Sequence, residues 1–315
     1  MRFSKKKVGV SIVILFITML SNVTLVYAGW IDDKFETVTN LLRSPLQGLI
    51  EGMYGVFNLC CKTTLDLIGI TPKEFNNGLG WDKIADIMPI FTGVALSLVV
   101  TFFLAGFFRE CINIKQEFTV EQIIKILARL GIAQGIVAST MPIAEAICKS
   151  AGLFAKAISG TYSEIVMPNS ISNTIESANF GEALVALIVG AMLFVVAVVL
   201  GGTMLYTIYF RIYKILIVIP FGALAFSTIS GGGSISSTAT AYLKTFLAYT
   251  GEIIVMAVAI ILSSAILNGG FSFGYTGGSD LVKLLLIMLE AIFSFAVITT
   301  AVKGAEGTLR RALNL

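Results

Sequence analysis

Two carboxylates, Glu252 and Glu290, stand inside otherwise apolar runs, and their placement needs a chemical reason. An ionised side chain near a bilayer centre costs about 2.5 kcal/mol or more, so each should face a partner, water or a pore. One reading has them lining a polar path or a subunit contact. The other has them bonding to Ser, Thr or Tyr neighbours, or pairing with Lys244 or Lys283, to hold a bundle together. Glu252 and Lys244 are about two helical turns apart and share a face without touching. Between two apolar runs lies Arg211-Ile-Tyr-Lys214, with Tyr206, Tyr209 and Tyr213 around it. This pattern predicts a tight helix hairpin, its cations at the headgroups for anchoring or for a polyanionic cargo and its tyrosines in an interfacial belt. Pro220 falls early in the next run, where a helix loses a backbone bond, as a channel or transporter can use or as packing can make harmless.

The chemistry the chain lacks is equally informative. It has no histidine, which removes Ser-His-Asp and Cys-His nucleophile systems and histidine metal sites. Four cysteines, Cys60, Cys61, Cys111 and Cys148, follow no CxxC spacing and read as small hydrophobes, although Cys60 or Cys61 could pair with another subunit. No GxxxxGK[ST] phosphate loop occurs, and Gly231-Gly-Gly233-Ser234, Gly269-Gly270 and Gly277-Gly278 read as turns between spans. The expectation is a non-enzyme without cofactor or metal. An intramembrane hydrolase would have only Glu252 and Glu290 to work with.

The elements that must position these residues follow from composition. Charged residues make up 13% of the 315, about half the share usual in soluble domains, and 56% are hydrophobic with a mean hydropathy of +0.90. That is a chain solvated by lipid: an all-α, polytopic integral membrane helix bundle with amphipathic helices in its N-terminal third. Residues 1–28 read as a cleaved signal peptide, from Arg2 and Lys5 to Lys7, the apolar run Val8 to Leu20 and Val26-Tyr27-Ala28, with an uncleaved anchor as the other reading. Cleavage takes away four basic and no acidic residues and leaves a net charge of −1, so the charge balance gives no case for nucleic-acid binding.

Residues 29–85 form an extracytoplasmic amphipathic segment: Ile31, Phe35, Val38, Leu42, Leu46, Leu49, Ile50 and Met53 recur at helical steps, broken by Pro45 and Pro72. That face could lie on the outer leaflet, on a neighbouring subunit or on its own bundle. Charge-free intervals give a transmembrane span within 86–108, with Pro89 in its opening turn, and a four-span bundle over 181–302 with spans at 183–210, 215–230, 242–267 and 281–302. Residues 109–180 form an amphipathic central region in which 119–141 either spans or lies flat. Counting basic residues on each side favours flat, hence five spans with the N-terminus outside and a basic tail, 303–315, in the cytoplasm. Gly48-x-x-x-Gly52 and Gly131-x-x-x-Gly135 permit close helix approach.

The order of these features resembles the TrbL family of polytopic membrane subunits of type IV secretion and conjugation machines, in its Gram-positive mobile-element version. The likeness covers mainly residues 180–311: a long span ending in Arg211-Ile-Tyr-Lys214, then Ile219-Pro220-Phe221-Gly222-Ala223-Leu224-Ala225, a Gly/Ser turn, and Ala241-Tyr242-Leu243-Lys244 opening the next span. The signal-like start, the amphipathic stretch and the basic tail fit as well. The resemblance implies a membrane platform or channel subunit that translocates DNA or protein across the cell membrane. It implies a homo-oligomer working beside coupling and assembly ATPases, in contact with lipid and transiently with the translocated DNA or protein. Family members often place the central region outside, whereas the charge count places 109–180 inside. A secondary transporter of a small solute, with its site at a broken helix near Pro220, is the alternative, and it predicts internal repeats that the sequence does not display.

Overall fold

The computed structural model describes residues 36–112, 120–269 and 280–312. The proposed signal, Gly277-Gly278 and the last three tail residues lie outside them. Every regular element among the described residues is helical: α1 (Glu36–Ile68), α2 (Leu79–Ile112), α3 (Val120–Ala138), α4 (Thr140–Ser159), α5 (Asn169–Ser177), α6 (Phe180–Ser227), α7 (Ser237–Asn268) and α8 (Asp280–Ala312). Short 3-10 turns at Phe75–Gly78 and Thr228–Gly231 precede α2 and follow α6. Helix is the form that satisfies every backbone group within one segment, as a chain this apolar requires. The all-α fold expected from composition is the fold observed.

Three expectations about helix breaks are corrected. Pro45 lies inside α1 and Pro89 inside α2, neither ending its helix. Pro89 is therefore not in an opening turn, because α2 starts at Leu79. The largest correction concerns the four-span bundle: residues 183–210 and 215–230 belong to one helix, α6, whose 48 residues run without a turn through Arg211, Lys214 and Pro220. No hairpin forms there. The residues 211–214 offer no glycine or other turn former, and a pair of cations alone does not reverse a chain whose neighbours favour helix. The real break before α2 has turn chemistry, with Asn76, Asn77 and Gly78 at φ 51°, 54° and 81°, the left-handed region that Asn and Gly tolerate.

Among the described residues four helices are long and apolar enough to cross a membrane: α2, α6, α7 and α8, each with its adjoining turn where it has one. The count is five if α3 and α4, bent by 65° at Ser139, act as one span. Large apolar side chains point outward along them, including Ile90, Val94 and Phe108 on α2 and Ile188, Met192 and Val195 on α6. A water-exposed surface of that kind is unfavourable, whereas hydrocarbon covers it without cost. The chain has the make-up of a multi-pass membrane protein.

The chain divides into two compact units. The first comprises the described parts of Met1–Lys62, Tyr162–Met204 and Ile261–Thr300. Here α1 packs its apolar face inward, burying Leu46, Ile50, Met53 and Phe57, so that face covers its own bundle. Phe57 stacks on Phe295 at 4.0 Å between ring centroids, and Cys60 sits against Gly201, where a Cβ would collide with its sulfur. Cys60 and Cys61 are free thiols within the helix. The extended segment after α4 is pinned from two sides. Asn58 donates to the Ile165 carbonyl (2.9 Å) and accepts from its N–H (3.0 Å), while Asn268 accepts from the Val166 N–H (3.0 Å) and donates to the Glu164 carbonyl (2.8 Å). Two asparagine amides thus supply what a neighbouring strand would.

The second unit comprises the described parts of Thr63–Thr161, Leu205–Ile260 and Ala301–Leu315. In it α3 runs back along α2, and α4 leaves α3 at a 65° bend. The Arg129–Glu110 ion pair (2.7 Å) ties the middle of α3 to the end of α2, and Ala133 and Val137 share a core with Met88, Ala95 and Val99. Further on, Ala144 and Cys148 share a core with Trp81 near the start of α2, Lys73 pairs with Glu145 (2.7 Å), and Gly152 touches the Gly69 carbonyl. The turn after α6 docks on α2 so closely that a Cβ on Gly106 would overlap the Gly231 backbone. The Gly131-x-x-x-Gly135 pair meets no neighbour, so the close approach is made at other glycines.

Candidate functional site

The sharpest polar feature of the second unit is a charge cluster on α6, α7 and α8. Arg211 and Lys214 lie three residues apart on one face of α6. Arg211, 2% exposed, donates through Nε to the Tyr249 carbonyl (3.1 Å) and through a terminal nitrogen to the Thr250 carbonyl (3.5 Å). A helix carbonyl keeps a second lone pair after its helical bond, and that is what the guanidinium uses. Lys214 lies between two carboxylates, with Nζ 3.5 Å from Glu252 Oε2 and 2.5 Å from Glu306 Oε2. Arg310 Nε completes the chain with a 3.0 Å bond to Glu306 Oε1. The Tyr249 ring lies between two cations, 5.3 Å from Lys214 and 5.0 Å from Arg310, within cation–π range.

Glu252 is 1% exposed, and its Oε2 receives the charge of Lys214 at ion-pair distance but accepts no hydrogen bond within normal geometry from the described residues. A buried carboxylate is tolerated when opposite charge lies close, and Arg211 and Lys214 supply it. The arrangement locks the register of three helices. It contains no nucleophile–base pair, and no group of three His, Cys, Asp or Glu able to hold a metal ion occurs among the described residues.

The expected site residues separate into three groups. Arg211, Lys214 and Glu252 come together, Glu252 pairing with Lys214 and not with Lys244, which is exposed. Arg211 and Lys214 are respectively buried and mostly buried, whereas headgroup anchoring would expose them; Tyr206, Tyr209 and Tyr213 do face outward. Pro220 is buried in α6, and the broken helix expected there is absent. Glu290 belongs to the first unit, where it lines a cavity with Tyr54, Ser294 and Phe295; Lys283 pairs instead with Asp280 at 3.0 Å.

Two further members of the cluster, Glu306 and Arg310, come from the stretch expected to be a basic tail. Instead α8 continues to Ala312 and carries them into the cluster. The available signal was the Glu306–Arg310 spacing of one turn, a helix-stabilising pair inside a supposed tail. Compared with protein-family models, curated proteins and solved structures, the chain matches none.

Proposed function

We propose that this protein is a membrane platform or channel subunit of a type IV secretion apparatus, serving conjugative transfer of DNA or protein across the cell membrane. The observation that carries this reading is that Arg211 and Lys214, the basic part of the stretch resembling the TrbL family, form the charged centre of an outwardly apolar helical unit. Residues with such a role hold a scaffold in register, and a conduit needs a rigid scaffold more than a reactive group. Its partners would be further copies of itself, coupling and assembly ATPases, membrane lipids and, transiently, the cargo. A small-solute transporter with its site at a broken helix near Pro220 has no such break to use.

The topology supporting this role has five crossings. In this reading the bent pair α3 and α4 acts as one span, which replaces the crossing lost when the hairpin in α6 vanished. With the signal cleaved and the N-terminus outside, the C-terminus lies in the cytoplasm. Deleting the gene from its mobile element should abolish transfer, and a wild-type copy supplied in trans should restore it. Undiminished transfer in the deletion strain would end the proposal.

A further inference from the structure

The first unit contains a small, partly open cavity of about 40 Å³, room for a few water-sized groups such as the head of a ligand. Its walls combine three polar side chains with aromatic and aliphatic surface. Glu290 and Ser294 lie one turn apart on the same face of α8, and Tyr54 approaches from α1. The Tyr54 ring meets Phe295 edge-on, 5.3 Å between centroids at 80°. Ile165 and Val166 line the other side, on the segment that Asn58 and Asn268 hold in place. The wall is therefore braced by four hydrogen bonds between asparagine side chains and its backbone.

We propose that this cavity binds a primary ammonium group, carried by a small free amine or by the ethanolamine headgroup of a lipid. The chemistry selects this class. A carboxylate on the wall repels anions and attracts a cation, and an –NH₃⁺ group has three N–H donors for three oxygens: Glu290, Ser294 Oγ and Tyr54 Oη. A divalent metal ion is a poor match, since one carboxylate and two hydroxyls fall short of the oxygen shell that hard cations demand. Burial, together with neighbouring Glu290, pushes the Tyr54 phenol up to about 12, so it stays an uncharged hydroxyl at neutral pH. Its oxygen then accepts from the amine without adding a second negative charge.

The test uses the full-length protein purified in detergent. Its thermal unfolding midpoint is followed against ethanolamine, with sodium chloride and tetramethylammonium chloride at matched ionic strength as references. A second arm compares nanodiscs of phosphatidylethanolamine with nanodiscs of phosphatidylcholine. The expected result is a saturable rise with free ethanolamine, or a rise in phosphatidylethanolamine alone, the two outcomes assigning the amine to solution or to lipid. Tetramethylammonium, which has no N–H, should give none. Glu290→Gln should weaken binding by about tenfold or more, the loss expected when a charge-assisted hydrogen bond is removed. Ser294→Ala, which leaves the charge in place, should weaken it several-fold and serves if Glu290→Gln fails to fold. No saturable rise in either arm, an equal rise with tetramethylammonium, or undiminished binding in a folded Glu290→Gln or Ser294→Ala variant would overturn the proposal.

Discussion

Lys214 on α6 and Glu306 on α8 lie 2.5 Å apart although 92 residues separate them, and Glu252 of α7 takes the other side of the same ammonium at 3.5 Å. One lysine therefore joins two further helices, and the strength of each joint follows from its burial. Glu252 is enclosed with Arg211 and Lys214, so Glu252→Ala strands buried cations and should cost about 3–5 kcal/mol. The Glu306 side chain is 31% exposed, water takes up much of its loss, and Glu306→Ala should cost about 1 kcal/mol or less. Chemical unfolding of both variants in detergent checks the order, which the reverse ranking would contradict.

Glycines of the second unit should respond in opposite senses. Gly106 lies under the Gly231 backbone, so Gly106→Ala forces the turn off α2 and should lower the unfolding midpoint. Gly131 and Gly135 meet nothing, so Ala there gains helix propensity, up to about 1 kcal/mol each, and should be neutral or stabilising. If Gly131→Ala is the damaging change, another helix covers α3 in the assembled protein and the contrast fails.

Burial pushes the Cys61 thiol up to about 12 from its ordinary 9.0, against a smaller opposing effect of its hydrogen bond with Tyr162. The sign follows from linkage. The fold favours the protonated thiol, so this stabilisation is complete below about pH 9 and is lost as pH rises through about 12. Replacing Cys61 by Ala should make the alkaline loss of stability shallower in a pH series of unfolding midpoints. At mildly alkaline pH a thiol reagent should modify partly exposed Cys111 and spare Cys61.

A topology prediction follows from the path of α3 and α4. In a chain that keeps Cys111 at the end of α2 and is cleared of its other native cysteines, Cys111 and Thr161→Cys after α4 should be labelled from opposite sides of intact cells. Labelling of both from one side would leave the bent pair as a re-entrant loop.

The asparagine clamps should also be measurable. Asn58→Ala leaves the Ile165 N–H and carbonyl without their partner, a loss of about 1–3 kcal/mol, and should expose the segment 162–168 to proteolysis.

The amino-acid sequence alone determined that this is a helical chain dissolved in hydrocarbon. Hydropathy and the absence of histidine are properties of composition, and neither depends on which residues meet. Sequence also marked Arg211, Lys214, Glu252 and Glu290 as costly, because an apolar run makes any charge conspicuous. Only the tertiary structure decided the partners. Lys214 meets Glu252 and Glu306 because α7 and α8 return beside α6, a matter of long-range packing that local spacing does not encode. The hairpin at residues 211–214 failed for the same reason: a short charged interruption looks alike whether it tops a turn or lies inside a helix. What distinguishes the two cases is the availability of buried carbonyls and carboxylates from other helices to receive those charges.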